Sequence, residues 1–282
     1  MMRTFDERSS TQPRANGQCG AASLVQAGRD TAWVSEGRGP ASRERAQAVG
    51  LREISTINDL KLVDVVVSVV PPASALDTAI SVANSGFRGI YVDGNAVSPS
   101  TANAVYETVT QTGASFVDGG IIGPPPQKLG DARLYLSGEK AEEVAALFEG
   151  SVMDARPIEA TPGSCAASSL KMAYAGWTKG SSALLLAVRA MARAHGVEQA
   201  LLDEWGISQA GLEGKSNQAA IGNAFKAWRF VGEMVEISNT MQAGGLPGGF
   251  HQGAAELYEA LADFKDQMDT SPEAVYQKLS GN

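Results

Sequence analysis

Cysteine and histidine are almost missing: the 282 residues contain two of each. Cys19 and Cys165 cannot build a disulfide framework, and His195 and His251 supply none of the familiar zinc spacings, so no metal site is expected. Long apolar runs are missing as well. The longest, residues 63–72 and 182–191, stop short of the roughly 20 residues a membrane-spanning helix needs. Positive charge is in deficit, with a net charge of −8. That argues against nucleic acid or an anionic membrane as the main partner, since a basic face holds both. A local basic pocket for a phosphate stays open. The opening residues carry Asp6 and Glu7 without an apolar core, unlike a signal or transit peptide, so the cytoplasm is the expected compartment.

What is present is enough chain for about two domains. Residues 1–16 are polar and unpatterned and read as a tail. Residues 17–160 alternate strands and helices. Strands are expected at 31–35, 51–54, 63–70, 89–95, 114–120, 132–138 and 152–158, with helices at 41–49, 56–62, 73–85, 99–112 and 139–149. The run VDVVVSVV (63–70) is the β-branched signature of a strand buried on both faces. This alternation predicts an α/β, Rossmann-like doubly wound parallel sheet, whose ligands bind at the carboxyl ends of its strands. Residues 161–282 read as helices only, at 163–195, 197–205, 215–243, 250–268 and 271–280. The first is long, rich in Ala, Leu and Met, and ends at Gly196.

Several positions carry chemistry, each beside a plainer reading. Gly17 and Gly20 open a helix as a phosphate-binding turn does, although Ala15 stands where the first glycine belongs and no apolar strand precedes it. Ser35, Glu36 and Arg38 follow the strand 31–35. Glu36 there suits the ribose hydroxyls of NAD, and Ser35 with Arg38 the 2′-phosphate of NADP, with a lean to NADP; an ordinary charged turn reads the same way. Asn95 and the pair Gly119-Gly120 end apolar strands where a ligand would lie, and turn chemistry alone also explains them. Lys171 sits on the long helix among small residues, as a general acid or base would, or as a solvated lysine. Lys179 lies on roughly the same face. His195 and His251 read as structural, and Trp177, Trp205 and Trp228 as core.

The order of the motifs VVVSVVPP, YVDGNAVSP, FVDGGIIGPPP and a lysine early in a long helix resembles the β-hydroxyacid dehydrogenase superfamily of 3-hydroxyisobutyrate and 6-phosphogluconate dehydrogenases. WVSEGR, LKMAYAGWTKGS and KAWRFVGEM resemble its branch with a 6-phosphogluconate dehydrogenase-like C-terminal domain. The resemblance spans about residues 17–265. It implies an NAD(P)-binding Rossmann-like domain followed by an all-α domain, in a homodimer acting on a small-molecule substrate. It also implies Lys171 as acid/base in hydride transfer, Gly17 and Gly20 at the pyrophosphate, Val70 and Pro71 flanking the cofactor, Asn95 at the nicotinamide ribose, and Lys226 near cofactor and substrate.

The chain departs from that pattern in places. Ile122-Gly123-Pro124 replaces the carboxylate-holding serine-glycine-glycine, Ala175 replaces an asparagine, and Tyr174 a histidine. The expectation is therefore an unidentified hydroxy or carbonyl substrate less polar than 6-phosphogluconate, bordered by Gly119, Gly120 and Ile122, with Tyr174 and Lys179 as polar contacts. The first strand of the sheet is expected to be missing or degenerate. A non-catalytic scaffold with impaired cofactor binding is the alternative.

Overall fold

The computed structural model describes residues 2–5, 15–161 and 163–281. The chain divides into two compact units between Met172 and Ala173. The boundary expected at 160/161 marks the loop ahead of the long helix instead.

The first unit is built on an eight-stranded sheet among the described residues. Its strands are β1 (Met2–Phe5), β2 (Thr31–Val34), β3 (Arg52–Ile54), β4 (Val65–Ser68), β5 (Ile90–Asp93), β6 (Ser115–Ile122), β7 (Arg133–Ser137) and β8 (Asp154–Pro157). They lie in the order β3-β2-β1-β4-β5-β6-β7-β8. The strand expected to be missing or degenerate is thus present in degenerate form. Four residues, MRTF, occupy the centre of the sheet, parallel to β2 from Met2 opposite Thr31 and to β4 from Met2 opposite Val65. Polar composition hid it, because nothing in MRTF resembles a buried strand. The rest of the expected tail, residues 1 and 6–14, lies outside the described residues.

The parallel order β3-β2-β1-β4-β5-β6 is that of a dinucleotide-binding sheet, with its switch point between β1 and β4. β7 departs from the all-parallel expectation: it runs antiparallel to β6, and β8 then pairs parallel to β7. β4 is buried along its whole length, as its β-branched run requires. Helices α1 (Ala15–Gln26), α2 (Pro40–Ala48), α3 (Ala75–Asn84), α4 (Pro99–Thr110) and α5 (Ala141–Ala146) make the connections, with a 3-10 turn at Ile57–Leu62 where a helix was expected. Ser98 caps α4 by accepting the Thr101 N–H at 3.3 Å, and Pro99 fills the first turn, where no donor is needed.

The long helix α6 (Ala166–Ala194) starts in the first unit and continues into the second. The second unit adds α7 (Glu198–Ser208), α8 (Leu212–Ala224), α9 (Ala227–Ala243), α10 (Gly249–Ala260) and α11 (Pro272–Ser280). The single helix expected over 215–243 is two, broken at Phe225 and Lys226, and the one expected over 250–268 ends at Ala260. Glycines govern the close packing of α6 on α10. A Cβ at Gly176 would meet His251 Nε2 at 3.4 Å, and one at Gly180 would meet it at 3.1 Å. His251 is buried there with its Nε2 3.1 Å from the Gly176 carbonyl, which bears out a structural part for it. Arg189, also buried, donates to Glu198 (2.6 Å) and Ser216 (2.8 Å) and stacks on Tyr276, tying α6 to α7, α8 and α11.

Candidate active site

The start of α6 is fixed to the sheet by one carboxylate. Asp118, buried on β6, accepts the Ser168 N–H at 2.9 Å and the Ser168 hydroxyl at 2.5 Å, and the Ser137 hydroxyl at 3.0 Å. Ser137 in turn accepts the Ala167 N–H at 3.2 Å. Unsatisfied donors of a helix start and a negative charge complement each other. Burial raises the Asp118 pKa, and the donors from Ser168 and Ser137 oppose that rise.

This anchoring sets the position of Lys171, less than one turn further on. Its ammonium donates to the Ile121 carbonyl at 2.6 Å, near the end of β6. The approach requires glycine beneath it. A Cβ at Gly120 would lie 2.7 Å from the Ala167 carbonyl oxygen and 3.2 Å from Lys171 Cβ; one at Gly119 would lie 2.9 Å from the Asp93 carbonyl oxygen. Gly119 and Gly120 were expected to border the substrate. In the structure they are packing glycines, with their backbones in the ladder to Leu136 and Tyr135. Ile122 likewise is buried at the strand end.

A second buried network shapes the loop after β4, beside the switch point. Asn95 accepts the Val70 N–H at 2.6 Å through Oδ1, and its Nδ2 donates to Ser68 Oγ at 3.2 Å and to Asp93 Oδ1. Asp93 Oδ1 also accepts the Asn95 N–H at 3.0 Å. Both amide hydrogens are taken, so Asn95, expected at the nicotinamide ribose, serves as a brace that holds Val70 and Pro71 in place. Asp93 Oδ2 is buried without a hydrogen-bond partner among the described residues. Burial, joined by the charge of Asp118, pushes the Asp93 pKa up to about 7 against the pull of the Asn95 donors.

At the end of β2, Glu36 is held by the Ile57 N–H at 2.8 Å and the Thr56 hydroxyl at 3.2 Å. Ser35 Oγ donates to the Ile54 carbonyl at 3.3 Å. Arg38 is half-buried in the turn, its N–H donating to the Ser35 carbonyl at 3.0 Å. Gly17 and Gly20 both lie inside α1, whose first residue is Ala15. The turn ahead of that helix falls outside the described residues.

In the second unit, Lys179 pairs with Glu233 and lies over the Phe230 ring at 4.7 Å. Lys226, at the break between α8 and α9, has its ammonium 5.2 Å from the Phe225 ring centre and 5.9 Å from that of Phe230. Burial lowers its pKa, with Lys179 and Arg229 adding to the effect. Tyr174 is exposed. Trp177, expected in the core, is 73% exposed, while Trp205 is buried as expected. Among the described residues, no three His, Cys, Asp or Glu side chains gather where a metal ion could sit, and no helix is long and apolar enough to cross a membrane.

The fold has solved counterparts. A conserved protein of unknown function, whose structure is reported to reveal similarity with 3-hydroxyacid dehydrogenases, is 28% identical, with TM-score 0.68 over 96% of this chain and 100% of that one. The fold of this chain is 3-hydroxyacid dehydrogenase-like. A 3-hydroxyisobutyrate dehydrogenase from Salmonella typhimurium shares the fold at 18% identity, with TM-score 0.68 over 98% and 99% of the two chains. A domain of unknown function, DUF1932, matches residues 192–261. An uncharacterized 28.5 kDa protein of Methanothermus fervidus is 34% identical over 170 residues, which are 60% of this chain and 64% of that protein.

Sequence reasoning missed the parts played by Asp93, Asp118 and Ser168. The signal was there: an aspartate at the end of one buried strand and another within a second cannot be left without donors.

Proposed function

We propose that this chain is an NAD(P)-dependent oxidoreductase that moves hydride between a nicotinamide and a hydroxy or carbonyl substrate, with Lys171 as general acid and base. The observation that carries the reading is Lys171, fixed by the Asp118–Ser168 anchor at the carboxyl end of a sheet with the dinucleotide strand order. The residues fit a dinucleotide. The α1 N-terminus follows the central strand, so backbone N–H groups around Gly17 would meet a pyrophosphate. Val70 and Pro71, braced by Asn95, border the switch point. Glu36 is engaged by Thr56 and Ile57, and Arg38, in the turn after β2, is a cation of the kind that suits a 2′-phosphate, which favours NADP over NAD.

The nicotinamide, when bound, gives or accepts the hydride. Lys171 handles the proton: as a neutral amine it takes the proton of the substrate hydroxyl as the carbon is oxidised, and as an ammonium it returns a proton to the carbonyl oxygen as the carbon is reduced, with the Ile121 carbonyl orienting it. Lys226 is the cation of the second unit suited to a polar group of cofactor or substrate, and Tyr174 and Lys179 are its candidate substrate contacts. The protein is proposed to act in the cytoplasm.

Titration with NADPH and NADH, followed by cofactor fluorescence, tests the reading. Micromolar binding with NADPH preferred is expected, and Lys171→Met should keep that binding while abolishing turnover of any hydroxy acid that reduces NADP. A folded protein that binds neither coenzyme overturns the proposal and favours a scaffold.

A further inference from the structure

One level of the sheet carries a row of polar side chains. In register across four strands stand Ser68 on β4, Asp93 on β5, Asp118 on β6 and Ser137 on β7. Residues directly paired across strands share a face, so the row is continuous, and all four members are buried. The two aspartates occupy neighbouring strands, whose spacing in a sheet is about 4.8 Å. Two carboxyl groups that close, away from water, do not both stay charged: one keeps a proton.

The hydrogen bonds say which. Both oxygens of Asp118 accept, Oδ1 from the Ser168 hydroxyl and Oδ2 from the Ser168 N–H and the Ser137 hydroxyl. Among the described residues, the donors reaching Asp93 come from Asn95 and go to Oδ1, while Oδ2 has no partner. Donors favour the charged form of a carboxyl group. The proton therefore sits chiefly on Asp93 Oδ2, in keeping with the rise of its pKa to about 7. The other titratable groups facing Asp93 are Tyr91, on its own strand, and Cys165, ahead of α6; burial keeps both neutral. The cation that α6 brings to this end of β6, Lys171, is engaged at the Ile121 carbonyl.

The row is tied to the site at both ends. Through Asn95 it holds the Val70 N–H, in the loop beside the switch point, and through Ser137 and Ser168 it holds the start of α6. We propose that Asp93 and Asp118 share a single proton, and that a dinucleotide bound at the Val70–Pro71 loop tightens the pair's hold on it. The shared proton stands on the row alone; the coupling rests on the proposed dinucleotide reading. A dinucleotide brings the negative charge of its diphosphate to the carboxyl ends of these strands, and a further anion makes a carboxyl group harder to ionise. Raising the pair's midpoint by about one pH unit takes only a modest interaction between partly buried charges. By reciprocity the proton then strengthens coenzyme binding by the same factor, about tenfold between alkaline and mildly acid solution.

Two measurements on the full chain test the proposal. Without coenzyme, NMR of the aspartate carboxyl carbons should show one group titrating near pH 7, with the Val70 and Ser168 N–H shifts following it, and Asp93→Asn should abolish that titration. Aspartates that all titrate below about pH 5, as ordinary ones do, overturn the shared proton. With NADPH at pH 7, calorimetric titration in buffers of differing ionisation enthalpy should show uptake of about 0.4 proton beyond that of Asp93→Asn. Comparison with the variant cancels the ionisation of the coenzyme's 2′-phosphate. No net uptake, or equal uptake by the two proteins, overturns the coupling. A chain that binds no coenzyme overturns the dinucleotide reading and the coupling together, while the NMR titration decides the shared proton by itself.

Discussion

Asp93 is a buried acid with one oxygen unpartnered among the described residues, and its removal should change how stability follows pH. Its folded-state pKa of about 7 stands above the usual 3.8. Between these values the native state holds a proton that the unfolded state has released. The stabilisation is therefore complete below about pH 4, falls away as pH rises, and is gone above about pH 7. At 1.36 kcal/mol per pKa unit the span amounts to roughly 4 kcal/mol. Asp93→Asn cannot titrate. Its amide oxygen still accepts from Asn95, and its NH2 group replaces the unpartnered Oδ2 at a pH-independent cost of about 1–3 kcal/mol. Urea unfolding of both proteins at intervals from about pH 4 to pH 8 gives the difference in stability. The variant should gain on the parent by roughly 4 kcal/mol across that range. A difference that stays flat with pH would refute a raised Asp93 pKa and the desolvation argument behind it.

Two further substitutions test the packing. Gly120→Ala puts a methyl 2.7 Å from the Ala167 carbonyl oxygen, so it should cost about 1–3 kcal/mol by overpacking and lower turnover at unchanged coenzyme affinity; a thermal melt with a coenzyme titration reads both. Arg189→Met removes a buried cation from Glu198, Ser216 and the Tyr276 ring, and thermal unfolding should show a loss of about 1–3 kcal/mol, with Arg193 still paired to Glu198 at 3.3 Å.

Much of the fold was legible because it is written in apolar periodicity. The β-branched run at 63–70 announced β4, and the proline-free Ala- and Leu-rich run announced α6. β1 was not legible. Four residues with a Thr and an Arg carry no strand signature, and only pairing on both sides makes them a strand. The break at Lys226 was hidden for the opposite reason: the residues around it are acceptable helix formers, and tertiary packing decides. Lys171 could be chosen from its small neighbours, but the carboxylate that positions it lies fifty residues earlier, a relation no local pattern shows. Gly119-Gly120 was read as ligand-facing from its expected place at a strand end. It lies inside β6, where α6 approaches Gly120 and the Asp93 backbone approaches Gly119.

The place of β1 in the sheet bears on how the first unit assembles. Its partners begin at Thr31 and Val65, so neither ladder closes through a local turn, and the second closes over more than sixty residues. Loops of that size must pay their closure entropy before the ladder returns any stabilisation. Until β1 is in place, β2 and β4 each present an unsatisfied inner edge, an opportunity for pairing with another chain. The weakest strand by composition is therefore the keystone of refolding: the slow step of the first unit should be the seating of residues 2–5, and it should slow further when that strand alone is made more polar.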